Sequence, residues 1–346
     1  MNFFSHLCIF CVLSLKFCYG TEEIRSYADE HAPISVMGDH LHKKKEIMFS
    51  YRISKMSMSK IYSGSDSQET ARIFSKSNSS SKNSGTYMNA PISMNMQMQM
   101  FGIMYAPSDR FTLMAMGKYF QKEMTQEQMP MSGSRKFDVN SEGIGDTNLS
   151  LLIKNKAKKK IKSHYEIGLS LPTGSIDCRE TTPSSLDSRL GYMMQNGSGT
   201  WDPFFSYNNL FLLSRYKIGK KIYFKIPSSG KNNKGYEYGK TLNLSIWSSY
   251  RWIDNVSSSV KINYEYKGYL KGFDSEMNPS MSPSMDSRNS GHQKLKVSFG
   301  LNIINYKKNF YNHRIGIEAM IPLLQKYRGL QMGEKYRLMF GWQYGI

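Results

Sequence analysis

Three things are scarce in this chain, and each scarcity removes a class of protein. Cysteine is the first. Of four, Cys8, Cys11 and Cys18 lie in the first twenty residues, leaving Cys178 alone beyond them. A lone thiol closes no intramolecular bridge, so no disulfide framework holds the rest together. Long apolar runs are the second. Past residue 20 no run of eighteen apolar residues occurs, which excludes a bundle of transmembrane helices. Acidic residues are the third: 27 Asp and Glu stand against 46 Lys and Arg, a formal charge of +19. Aromatics, at 13% with 23 Tyr, are too frequent for a disordered chain. Catalytic signatures are missing as well. There is no Gly-x-Ser-x-Gly elbow, no His-Glu-x-x-His pair, no phosphate loop and no His-x-Ser beyond residue 20. We read the chain as a non-enzyme.

Residues 1–20 read as a signal peptide. The stretch 3–15 is mostly apolar, small Gly20 precedes polar Thr21-Glu22-Glu23, and thirteen residues are too few to span a bilayer. Residues 21–45 then form a periplasmic or luminal entry segment, and 46–346 form the body.

The body is organised by period two. At its end Tyr336, Leu338, Phe340, Trp342, Tyr344 and Ile346 alternate with Arg337, Met339, Gly341, Gln343 and Gly345. A strand sends alternate side chains to opposite faces, so one face is apolar and the other small or polar. The same reading recurs along 47–54, 146–153, 161–171, 242–252, 256–266 and 294–303. Weaker candidates at 92–105, 110–120, 200–214, 219–226 and 311–322 bring the count to about twelve strands. Connections alternate between short ones (106–109, 154–160, 215–218, Asp254, 305–310) and long Ser/Gly/Asn-rich ones. The long ones fall at 59–91, 121–141, 173–199, 227–237, 268–291 and 323–333. Short turns at one end and long loops at the other are what a transmembrane barrel produces, whereas a soluble sandwich gives no reason for them. The expected fold is all-β: a transmembrane antiparallel up-and-down barrel in the bacterial outer membrane, surrounded by its lipids.

If the apolar face meets lipid, the other face lines the lumen. That set includes Arg52, Lys118, Asp146, Lys162, Glu166, Arg251, Lys261, Glu265, Lys294, Lys296, Arg314 and Glu318. Cations outnumber anions there, which favours anions through an open pore. Paired Lys/Glu rows that merely fill the lumen are the alternative. Twelve strands lie between filled eight-stranded barrels and wide sixteen-stranded pores, so a narrow channel or small cavity is expected. The lysine-rich 154–160 reads as a solvated turn tip, with attraction to anionic headgroups as the second reading. Nucleic acid binding is excluded, because the aromatics lie on the face opposite the basic residues.

Two sulfur- and imidazole-rich features stand apart. Met94, Met96, Met98, Met100 and Met104 alternate with Asn95, Gln97 and Gln99. Thioethers suit Cu(I), but by the pattern elsewhere this row belongs on the lipid face as apolar filler. The entry segment holds His31, Met37, Asp39, His40 and His42. These could gather copper or another transition ion, or could belong to an ordered plug in which the histidines make ordinary hydrogen bonds.

The entry segment from His31 to Lys43, running into Glu46 and Ser50-Tyr51-Arg52, resembles a family of bacterial outer-membrane transporters related to the meta-pathway phenol-degradation (MetA-type) group. Further matching marks are Tyr105-Ala106-Pro107 with Asp109-Arg110, Gly143-Ile144-Gly145-Asp146, 170–176, 197–202 and Gly341-Trp342-Gln343-Tyr344. The resemblance implies a barrel that takes up small molecules, aromatic ones among the candidates, and is inserted by the outer-membrane assembly machinery. Ile346 departs from it, since such barrels usually end in an aromatic residue. The expected function is passive passage of a small solute, aromatic or anionic. The alternatives are metal handling by the His/Met segment and a filled barrel serving only as a surface.

Overall fold

The computed structural model describes residues 27–79, 85–130, 135–155, 160–305 and 312–346. The expected signal peptide and Lys156, Lys158 and Lys159 of the basic turn lie outside the described residues. The long strands are β1 (Ile47–Gly64), β2 (Asn89–Ser108), β3 (Phe111–Gln128), β4 (Lys136–Ile144), β5 (Thr147–Lys154), β6 (Ile161–Leu171), β7 (Asp202–Leu212), β8 (Tyr216–Lys225), β9 (Thr241–Ile253), β10 (Val256–Lys267), β11 (His292–Asn305) and β12 (His313–Gly345). Neighbours pair in chain order, β4 and β5 share the edge of β3, and β12 returns to β1 to close the ring. At the seam Ile47 and Ile346 exchange backbone hydrogen bonds of 2.8 and 2.9 Å.

Every one of these pairings is antiparallel. A ring of antiparallel neighbours needs an even number of passes, yet eleven elements make up this one. β12 restores the parity. It is 33 residues long, and it pairs with β11 up to Tyr327 but with β1 from Tyr327 onward. It therefore crosses, turns and crosses back, so the ring has twelve passes, an even count like that of other bacterial barrels.

The faces follow the alternation over most of the ring. Ile246, Phe299 and Ile317 point outward at 60%, 57% and 51% exposure, while Lys296 and Glu318 point inward at 2% and 1%. A soluble protein would do the reverse. The outer belt is lipid-facing, and this is an outer-membrane β-barrel.

β1 to β3 depart from the sequence reading in length and in polarity. They run 18, 20 and 18 residues. At ~3.3 Å per residue that is about 60 Å of strand, too much for a ~25 Å apolar band even when tilted. The surplus stands clear of the membrane at the long-loop end. There the outward face turns polar: Ile53 of β1 is followed by Lys55, Ser57 and Ser59, and Leu113 and Ala115 of β3 give way to Gln121 and Glu123. This overturns two expectations. The methionine row faces inward, with Met94, Met100 and Met104 buried and Asn95 exposed. Where no lipid lies outside, alternation alone does not say which face is the interior. The connections expected at 59–91, 121–141 and 323–333 also shrink. β1 continues to Gly64, β3 reaches Gln128 before β4 starts at Lys136, and β12 keeps strand backbone on both sides of its turn inside 323–333.

Candidate functional site

The segment ahead of β1 enters the lumen at the short-turn end, climbs to about residues 34–38 and descends again to β1. Its entrance is held by charge. Asp29 pairs with Lys217 at 2.9 Å, Glu30 with Lys162 at 2.8 Å, and the Arg251 guanidinium lies 3.9 Å over the Tyr27 ring. Higher up, wall side chains bond its backbone, whose polar groups have no strand partner. Arg52 Nε–H donates to the Ile34 carbonyl at 3.1 Å, Lys221 to that of Met37 at 2.6 Å, and Asn208 to that of Asp39 at 2.8 Å. His164 Nε2 bonds the Gly38 carbonyl at 2.8 Å, and the Ser35 N–H donates to Glu318 at 2.9 Å. Two ion pairs brace these contacts: Lys261–Glu318 at 2.7 Å and Lys221–Glu166 at 3.0 Å. Gly38 turns the chain at φ +55, a conformation glycine adopts without strain. Ile34 fits because Gly316 and Gly341 present no side chain: a Cβ on either would meet it at 2.8 or 2.4 Å.

The twelve residues read as lumen-lining therefore divide by task. Arg52, Glu166, Lys261, Arg314 and Glu318 are buried against the plug. Lys162 and Arg251 sit at its entrance. Glu265, Lys294 and Lys296 lie farther along, knitted to Glu334 and His292: Lys296–Glu265 2.7 Å, Lys294–Glu334 3.3 Å, His292–Glu265 2.7 Å. Asp146, in the break between β4 and β5, accepts the N–H groups of Gly174 and Ser198 at 3.2 and 2.9 Å and so anchors the 172–201 loop. Lys118 is half-buried, its carbonyl accepting the Gly145 N–H at that same break.

Sequence reasoning missed Asp29, His164, Lys217, Lys221 and Glu334. The phase of β8 was hidden by the doublet Lys220-Lys221, of which only Lys221 turns inward. Glu334 lay between the loop read at 323–333 and the strand read from Tyr336. Trp247, an apolar side chain on a polar inner face, packs with Ala32 and Val36 of the plug and with Leu210.

Beyond the plug a cavity of about 480 Å³ lies under the long loops. Met56, Met58, Met94, Met96, Met124 and Met332 form one wall, part of a larger buried apolar cluster. The opposite wall carries Lys225, Lys267, Lys294, Asp202 and Glu265. Lys225 is paired with Asp202 at 2.9 Å. The Lys267 ammonium instead lies 4.6 Å from the centre of the Tyr238 ring, and Lys122 donates to the Met193 and Gln195 carbonyls at 3.2 and 2.6 Å. The roof is an apolar core of Tyr192, Tyr236, Leu270, Met277 and Met285, pinned by the buried Arg189–Asp274 pair at 2.6 Å.

The imidazoles of the plug gather, but not with the sulfur. Met37 packs among Ile34, Met100, Met339 and Met48 and leaves the expected ligand set. One atom each from His31, Asp39 and His40 lie within 4.8 Å of one another. Asp39 Oδ1 bonds His40 Nδ1 at 2.8 Å, while Oδ2 accepts the Ala32 N–H at 3.0 Å and stands 3.8 Å from Arg314. His42 flanks His40 with ring centroids 4.8 Å apart and faces Glu46 at 3.4 Å. Burial, with Arg314 alongside, holds His31 well below its ordinary 6.5. Burial alone would raise the Asp39 carboxyl, but His40, Arg314 and His31 hold it well below the usual carboxylate range.

No protein-family model matches the chain, and no curated protein matches it, so the motif resemblance to the MetA-type group has no sequence-level counterpart. Solved structures do match. An outer membrane channel from Pseudomonas putida F1 superposes with a TM-score of 0.59 at 9% identity, over 90% of this chain and 100% of that one. The P. putida toluene transporter TodX (TM-score 0.46, 10% identity, 88% and 91% covered) and a Pseudomonas aeruginosa FadL homologue (0.38, 10%, 87% and 90%) overlap more loosely. At such identities the likeness is one of fold.

Proposed function

We propose that the chain is a passive channel for small, largely apolar solutes that carry one negative group, shut at rest by residues 27–45. The observation that carries this is the chamber, with thioethers on one side and, on the other, Lys267, whose ammonium faces an aromatic ring and has no carboxylate within ion-pair distance among the described residues. An aromatic or aliphatic carboxylate satisfies both walls at once, because its body replaces water against sulfur and its charge meets the ammonium. Support for channel activity comes from the P. putida F1 fold-mate, which is an outer membrane channel. The motif resemblance to the MetA-type group favours an aromatic body. In this reading residues 1–20 direct export, and the assembly machinery inserts the barrel.

Uptake into proteoliposomes tests it. Benzoate should enter faster than benzylamine, and Lys267→Glu should narrow or reverse that preference. Entry of neither solute refutes the channel, and equal entry of both refutes the anionic preference.

A further inference from the structure

The plug doubles back, and its two arms bring metal donors together. His31 lies on the inbound arm; Asp39 and His40 lie on the outbound one. We propose that His31, Asp39 and His40 form a site for one borderline divalent transition ion, zinc or copper(II), that clasps the two arms of the plug inside the lumen.

Three observations support it. The donors are of the right kind, since imidazole nitrogen and carboxylate oxygen together suit zinc and copper(II) better than magnesium or calcium. Their spacing is near what an ion imposes. His31 Nδ1 and Asp39 Oδ2 are 3.9 Å apart, too far for a hydrogen bond and close to the roughly 3.3 Å that two donors keep around tetrahedral zinc. Asp39 and His40 bond each other, but two imidazole nitrogens here have no other employment. His31 Nδ1 and, next to the cluster, His42 Nε2 are buried with no hydrogen-bond partner among the described residues, whereas buried polar atoms in native proteins almost always have one. His42 stands ready as a fourth donor, its ring 4.8 Å from that of His40.

Arg314 opposes the ion, because its guanidinium lies 3.8 Å from the Asp39 carboxylate. It is fixed there by bonds to Asn302, Gln343 and the Ala32 carbonyl. Its charge holds the affinity down and supplies a second handle on the site.

The proposal does not depend on solute passage, since ion binding is measured on the closed protein. Untagged full-length protein in detergent is titrated with Zn²⁺, Cu²⁺ and Mg²⁺ alone. The expected result is one Zn²⁺ or Cu²⁺ per chain and no saturable Mg²⁺ binding. His31→Ala/His40→Ala should weaken binding at least tenfold, and Arg314→Gln should tighten it several-fold. Paramagnetic resonance of the Cu²⁺-loaded natural chain should show imidazole nitrogen coordination, a readout that stands even if the double variant fails to fold. Absence of saturable Zn²⁺ and Cu²⁺ binding, undiminished binding by a folded double variant, or coordination by oxygen alone would overturn the site.

Discussion

The two sides of this barrel are built on opposite rules. From β6 round to β12 the outside is apolar and the inside carries Lys, Glu, Ser and Asn; in the upper parts of β1 to β3 the outside is polar and the inside is largely methionine. The difference teaches that a strand's alternation reports only that its two faces differ. Which face is dry depends on what lies beyond, lipid in one region and solvent in the other. The charged wall holds the plug by its backbone, and the methionine wall closes an apolar space above it. A cavity arises where the two meet.

The contrast can be broken experimentally. The largest effect should come from the charged wall. Glu318→Gln strands the buried Lys261 ammonium and releases the Ser35 N–H, and should cost about 3–5 kcal/mol in denaturant unfolding. Lys261→Met/Glu318→Leu should recover most of that, because no lone charge remains. Next comes position along the membrane normal. Ile246→Arg should cost about 2–4 kcal/mol, since it places a cation in the lipid belt. Gln97→Arg, outward above the belt, should stay within about 0.5 kcal/mol. Smallest among inward changes, Met94→Leu should cost less than about 1.5 kcal/mol, as a volume-conserving swap in an apolar cluster.

Much of this was legible in the residues. The outward rows of β9 to β12, the short and long turns and the approach to twelve passes follow from side-chain period and turn composition. The entry segment stood out by its three histidines. The inward turn of the methionines did not, because Asn95, Gln97 and Gln99 opposite them read as a lumen face. Nor did the employment of the lumen charges. Glu166, Lys261 and Glu318 look like pore lining until the path of residues 27–45 is known, and that path depends on contacts between residues as distant as Ser35 and Glu318. Glycine 341 likewise reads as one small residue among several, and only the seat of Ile34 gives it a purpose.

The central claim is that the plug, held by the charged wall, is what closes the barrel. Planar-bilayer conductance of the full chain against the chain lacking residues 27–42 tests it most directly. The account predicts rare, brief openings for the first and a steady, anion-preferring current for the second. Equal conductance from both would contradict it.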